Sequence, residues 1–133
     1  MSVSHILAPI DGTDPSFRAL EFAVELAERF EADLDVVHIT DEESEASAEI
    51  LSRAETVLEA GGMDVTPEVS TDMDLDFRPA DAIGEDILEL VESRGYDHVV
   101  MGHQGSGAVE RAIIGSAAER VLRAERVPAT VVP

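Results

Sequence analysis

An α/β fold, with a five-stranded parallel sheet covered by helices on both faces, is what this sequence predicts. Two observations carry that reading. Short apolar runs alternate with segments of helical period in the order βαβαβαβαβ, and such alternation implies parallel strands joined by helical crossovers. Glycine, proline or short acidic turns then stand where one period gives way to the other. The chain has 133 residues, which suits a single domain, 1–133, with one core.

Ile6 to Ile10 reads ILAPI, a buried parallel strand with Pro9 near its end. Asp11 to Pro15 reads as a turn into a helix, with Asp14 as N-cap and Pro15 in the first helical position. Phe17, Leu20, Val24 and Ala27 keep the spacing of one helix face, and the helix extends to Phe30. Leu34 to Ile39 forms the second strand. The second helix places Ile50, Leu51, Ala54, Val57 and Leu58 inward and stops at Gly61 and Gly62. Val65 to Ser70 is a weak strand interrupted by Pro67, which belongs at a sheet edge.

Ser70 to Pro79 lacks a period and is expected as a loop. The third helix starts at Ala80, with Ile83, Ile87, Leu90 and Val91 inward, and ends at Gly95. Gly84 inside it costs about 1 kcal/mol relative to alanine. Tyr96 to Met101 is the fourth strand. A glycine-rich loop leads to a helix over 116–125, and Pro128 separates that helix from a last strand, Ala129 to Val132.

The charge is extreme: 29 acidic against nine basic residues, a formal net −20. All nine are arginine; lysine does not occur. Such a surface repels itself at ordinary ionic strength. In molar salt the Debye length falls to about 3 Å and the repulsion is screened, so a halophilic, acidic protein of a salt-rich cytoplasm is expected. The same charge disfavours duplex nucleic acid and anionic membranes as partners. No window approaches the roughly 18 apolar residues of a membrane span, and no basic region precedes an apolar signal segment, so a cytoplasmic location is expected.

The chemistry-bearing stretch is 101–119, MGHQGSGAVERAIIGSAAE. Glycines after a strand, with a helix start close by, present backbone N–H groups to an anion. The Walker loop is excluded because it requires lysine, and the dinucleotide fingerprint is absent after the first strand. No nucleophile elbow occurs, and the histidines, at 5, 38, 98 and 103, lack metal-ligand spacing. No catalytic residue and no metal ligand is assigned. A nucleotide held without an evident general base implies binding, with slow hydrolysis at most. Several residues keep two readings. Asp11 is either a turn residue or a ligand contact, Arg111 either meets phosphate or pairs with Glu110, and Met101 is either core or ligand contact. His103 lies in the loop, within reach of a phosphate. Ser116 with Glu119 forms a capping box with or without a ligand.

Gly102, Gly105, Gly115 and Ser116 fit the pattern G-x2-G-x9-G-[ST]. This resembles the nucleotide-binding signature of the universal stress protein family, and the resemblance extends over nearly the whole chain, from ILAPIDGTDPSFRAL to GSAAERVLRAERVPATVV. It implies a three-layer sandwich of the adenine nucleotide alpha hydrolase-like kind, with strand order 3-2-1-4-5. It implies ATP as ligand, with Mg²⁺ held mainly by the phosphates. By the same resemblance Pro9 and Asp11 lie by ribose and adenine, and Ile39 covers the base. Met101, Gly102 and Gly105 wrap ribose and phosphates, and Gly115, Ser116 and Ala117 hold phosphates at the helix start. A homodimer through the C-terminal edge strand is expected. The function implied is that of a nucleotide-dependent stress-response regulator or sensor. The alternatives are a slow ATPase or phosphotransferase in which Asp11 helps position Mg²⁺, and a nucleotide-free structural dimer module.

Overall fold

Among the described residues nine elements follow one another in the alternating order expected. They are β1 (His5–Ile10), α1 (Asp14–Phe30), β2 (Asp33–Ile39), α2 (Glu45–Ala60), β3 (Glu68–Ser70), α3 (Pro79–Arg94), β4 (His98–Gly102), α4 (Ser116–Ala124) and β5 (Ala129–Val132). The structure is a computed structural model that describes residues 3–40, 43–71, 79–103 and 116–133, without the side chains of 79–82 and 116. The loop expected over Ser70 to Pro79 lies largely outside the described residues.

All strand pairs are parallel and the sheet order is β3-β2-β1-β4-β5. The order reverses between β1 and β4. Alternation along each strand divides the core into two layers. Ile6, Ala8, Ile10, Leu34, Val36 and Val100 pack with α1 and α2 residues such as Leu20, Ala23, Ala54 and Leu58. On the other face Leu7, Val37, Ile39, Val99 and Met101 pack with Ile87, Leu88, Val91, Ala118 and Val121 of α3 and α4. Strands covered on both sides have no polar face, which is why they read as continuous apolar runs.

Local chemistry sets the boundaries. Thr13, not Asp14, caps α1: its hydroxyl accepts the Ser16 N–H at 3.3 Å, and Asp14 and Pro15 enter the first turn. Proline is tolerated there because first-turn N–H groups have no helical partner. Ser44 and Ser47 form a reciprocal capping box at the start of α2. Pairing in β3 begins only after Pro67, which confines this edge strand to three residues. The glycine inside α3 has a packing cause. A Cβ on Gly84 would stand 2.8 Å from the Cβ of Arg120, so the local helix cost permits close approach of α3 and α4.

A polar cluster ties the N-terminal ends of the strands together. Asp97 accepts the N–H groups of Ser4 and His5 and the Ser4 hydroxyl. Burial pushes its carboxyl up, but these hydrogen bonds outweigh that and hold it below the usual carboxylate range. The Tyr96 hydroxyl donates to Asp35 at 2.5 Å, and Asp35 also meets His5 Nε2 at 3.2 Å. Arg94 joins Tyr96 to Glu68. Burial, followed by the bond to Asp35, pushes the Tyr96 phenol up to about 12.

Candidate functional site

At the carboxyl ends of the strands the chain leaves β1 toward α1 on one face and leaves β4 toward α4 on the other. Divergence of neighbouring connections opens a crevice at such a switch point. The residues bordering it come from the ends of β1, β2 and β4 and from the starts of α1 and α4.

Asp11 is exposed just beyond β1. One carboxylate oxygen accepts both the N–H of Thr13, at 3.0 Å, and its hydroxyl, at 2.6 Å. This orients the carboxylate and fixes the turn. Gly12 completes the turn with φ of 86°, where a side chain would be strained. Beneath it His38 is buried, and its Nδ1 lies 2.8 Å from the carbonyl oxygen of Ile10. A carbonyl only accepts, so Nδ1 carries the hydrogen, and the imidazole braces the ends of β1 and β2.

The residues expected to meet a base and ribose fall on one face. Pro9, Ile39 and Met101 occupy three adjacent strands, and Ile39 and Met101 belong to the core layer under α3 and α4. All three are buried. They share the sheet face under α3 and α4, while Asp11 is exposed beyond the end of β1. Gly102 serves a role that the motif does not reveal. A Cβ there would stand 2.5 Å from the Pro15 carbonyl carbon and the Ser16 nitrogen. The missing side chain lets β4 touch the first turn of α1.

Ser116 and Ala117 begin α4, and Ala117 packs against the α3–α4 core layer. Glu119 lies in the first turn and pairs with Arg123. Gly105, Gly115 and Arg111 lie outside the described residues, as does the side chain of Ser116 with its expected cap. The N–H of His103 donates to the Val132 carbonyl at 2.7 Å, which extends the β4–β5 ladder beyond Gly102. Its side chain lines a groove between α4 and β5.

Among the described residues every arginine is already engaged. Arg29, Arg53, Arg94, Arg120, Arg123 and Arg126 pair with Glu25, Asp14, Glu68, Glu85, Glu119 and Glu92. Arg18 donates from Nε to the Pro133 carbonyl at 2.9 Å. Arg53 lies on the α1–α2 side of the sheet. It lies 4.0 Å above the Phe17 ring and 3.4 Å from Asp14 at the start of α1. Sequence reasoning missed Arg53 because its position follows only from the packing of α2 beside α1. It also missed Thr13, although the Asp-x-Thr spacing signalled an Asx turn. The described part of the crevice thus offers an acceptor carboxylate and backbone groups, a chemistry suited to a ligand rich in hydroxyls.

The sequence model of the universal stress protein family matches residues 2–65 and 80–133. A universal stress protein of Methanocaldococcus jannaschii is 28% identical over 145 aligned residues, covering 96% of this chain and 80% of that protein. The fold matches a universal stress protein solved in complex with cAMP, with TM-score 0.75 and 22% identity over 100% of this chain and 98% of that one. It also matches the universal stress protein of Archaeoglobus fulgidus in complex with dAMP, with TM-score 0.71 and 20% identity over 98% of each chain. The sheet order, the strand-end crevice and the extent of the family match agree: this chain belongs to the universal stress protein family.

Proposed function

We propose that the chain is an ATP-binding universal stress protein that works as a nucleotide-dependent regulator or sensor in the stress response of a salt-rich cytoplasm. The carrying observation is the exposed Asp11 carboxylate, oriented by Thr13 beside the strand that leads into Gly102, Gly105, Gly115 and Ser116. The carboxylate suits ribose hydroxyls, and Pro9 and Ile39 supply an apolar floor below a base. The phosphates are met by loop N–H groups and by the start of α4. Described arginines are engaged elsewhere, so Mg²⁺ travels with ATP and is held mainly by its phosphates. The cAMP and dAMP bound by the two family structures are adenine nucleotides, which supports that ligand class. Two copies associate through the open edge of β5.

The test is to purify the protein in molar KCl, denature it and identify any released nucleotide by mass spectrometry, with calorimetric titration of Mg²⁺-ATP alongside. Released adenine nucleotide, or saturable ATP binding that Asp11→Ala weakens, supports the reading. Protein that releases none and binds none while natively folded overturns it.

A further inference from the structure

Of the four histidines only His38 is buried, at 7% exposed. Along β2 it follows the alternation of Leu34 and Val36, whose side chains pack toward α1 and α2. Ile39 turns to the opposite face, under α3 and α4, as do Val37 and Met101. The imidazole and the apolar residues assigned to a base thus occupy opposite faces of the sheet. His38 stands on the far side from a ligand that lies against Pro9 and Ile39.

The α1–α2 face is packed with apolar side chains. Leucine would suit such a place without desolvating a ring nitrogen, because a buried polar group is costly unless it is hydrogen-bonded. The ring meets that cost at Nδ1, which donates to the carbonyl oxygen of Ile10 at 2.8 Å. Ile10 and His38 are the last register partners of β1 and β2. The bond therefore fixes the final carbonyl of β1, at the point where the chain leaves the sheet.

A peptide unit is planar, and among the described residues none is cis. Fixing the Ile10 carbonyl thus fixes the plane that also carries the nitrogen and Cα of Asp11. The N–H of Asp11 points away from the imidazole, and its side chain departs from a Cα whose place is set. Beyond it, Thr13 holds one carboxylate oxygen through its N–H and its hydroxyl. Gly12, between them, lies against α2, where a Cβ would stand 2.7 Å from Cδ1 of Ile50. The turn is therefore anchored on both sides of Asp11, by His38 before it and by Thr13 after it.

We propose that His38 is a positioning residue of the nucleotide site: by donating from Nδ1 to the Ile10 carbonyl, it aims the Asp11 carboxylate at the ribose hydroxyls. The inference rests on the ATP-binding reading above and adds a buried residue that acts through Asp11 without touching the ligand. What position 38 requires is a donor at the place of Nδ1, not a ring. Asparagine meets that requirement, since its Nδ2 branches from Cγ as Nδ1 does. Leucine leaves the carbonyl without this donor. Glutamine stays polar but carries its amide one bond farther, off the Ile10 carbonyl.

The experiment measures the affinity of the full chain for Mg²⁺-ATP and for Mg²⁺-dideoxy-ATP, which lacks both ribose hydroxyls, by calorimetry in molar KCl. Wild type is compared with His38→Leu, His38→Asn and His38→Gln, and circular dichroism with a thermal melt shows which are native. Glutamine takes the place of leucine if the leucine variant does not fold. ATP binding is expected to weaken at least about tenfold in His38→Leu and His38→Gln, and to stay within about threefold of wild type in His38→Asn. Dideoxy-ATP offers Asp11 no hydroxyl, so no His38 variant should weaken its binding further. Equal losses for both nucleotides, or an asparagine variant as weak as the leucine one, overturn the positioning role. Wild-type ATP affinity in natively folded His38→Leu or His38→Gln overturns it too and leaves ATP binding standing. A native wild type that binds neither nucleotide overturns the ATP-binding reading and this inference together.

Discussion

Gly102 and Pro15 meet backbone to backbone: a methyl group on Gly102 would lie 2.5 Å from the carbonyl carbon of Pro15. Neither group is the flexible end of a side chain, so the end of β4 or the first turn of α1 would have to move. Gly102→Ala is therefore expected to destabilise the protein by about 1–3 kcal/mol and to weaken nucleotide binding by shifting Asp11 and Thr13. Denaturant melts in molar KCl, paired with ATP titration, check both effects. Unchanged stability would show that the contact relaxes freely.

Gly105→Val and Gly115→Val are expected to weaken ATP binding at least tenfold, about 1.4 kcal/mol, with the fold intact. In the proposed site a side chain at either position fills phosphate space or forces a disfavoured φ. Calorimetry on both variants, with circular dichroism as control, decides this; wild-type affinity in both removes the loop from the site.

Tyr96 is the only tyrosine and tryptophan is absent, so tyrosinate absorbance reports one residue. Its phenol should ionise near 12 while the protein stays folded, against 10.0 for a free phenol. The folded state favours the protonated form. Tyr96 thus contributes stability that is fully present below pH 10 and is lost as pH rises through 12. Tyr96→Phe removes the bond to Asp35 and should cost about 1 kcal/mol at neutral pH. Titration of the folded protein at the free-phenol value would refute the assignment.

Stability should rise from low salt to molar KCl, because screening relieves repulsion among 29 carboxylates. The engaged arginines lose some attraction by the same screening, but exposed ion pairs contribute little. A melting temperature that is flat or falls with KCl would contradict this balance.

ATP affinity should rise with salt as well. The ligand and the protein are both anionic, and short-range backbone donors are screened less than distant charges. Affinity is measured against KCl at fixed Mg²⁺, within the range where circular dichroism shows the native state. A steep fall would mean that cations carry the binding, with Arg53 and Arg111 the first to replace.

The alternation of elements was legible in the sequence because β1, β2 and β4 are buried on both faces and each helix on one. Pro67 and Gly61 marked boundaries through their own backbone chemistry. The cap of α1 was misplaced by one residue, since Thr13 and Asp14 are both good caps and only the contact between Asp11 and Thr13 separates them. The packing roles of Gly84 and Gly102 were illegible, because each answers to a helix far away in sequence, at Arg120 and at Pro15. Asp11 could be placed in the turn beyond β1 from its position after a strand. Ile39 and Met101 could be placed at strand ends, but their burial depends on α3 and α4 packing over them.

The central position of β1 has a consequence for how the molecule is made. β1 emerges from the ribosome well before its neighbour β4, and the contact between Ser4 and Asp97 joins residues 93 apart. β1, β2 and β3 can pair early, but one edge of β1 stays open until residues 98–102 are synthesised. Such long-range closure is slow and leaves apolar strand edges exposed meanwhile. During that interval Leu7, Val37 and Ile39 lack the cover that α3 and α4 later supply. A chain stalled before β4 would carry the Asp11 turn without the strand that stands beside β1.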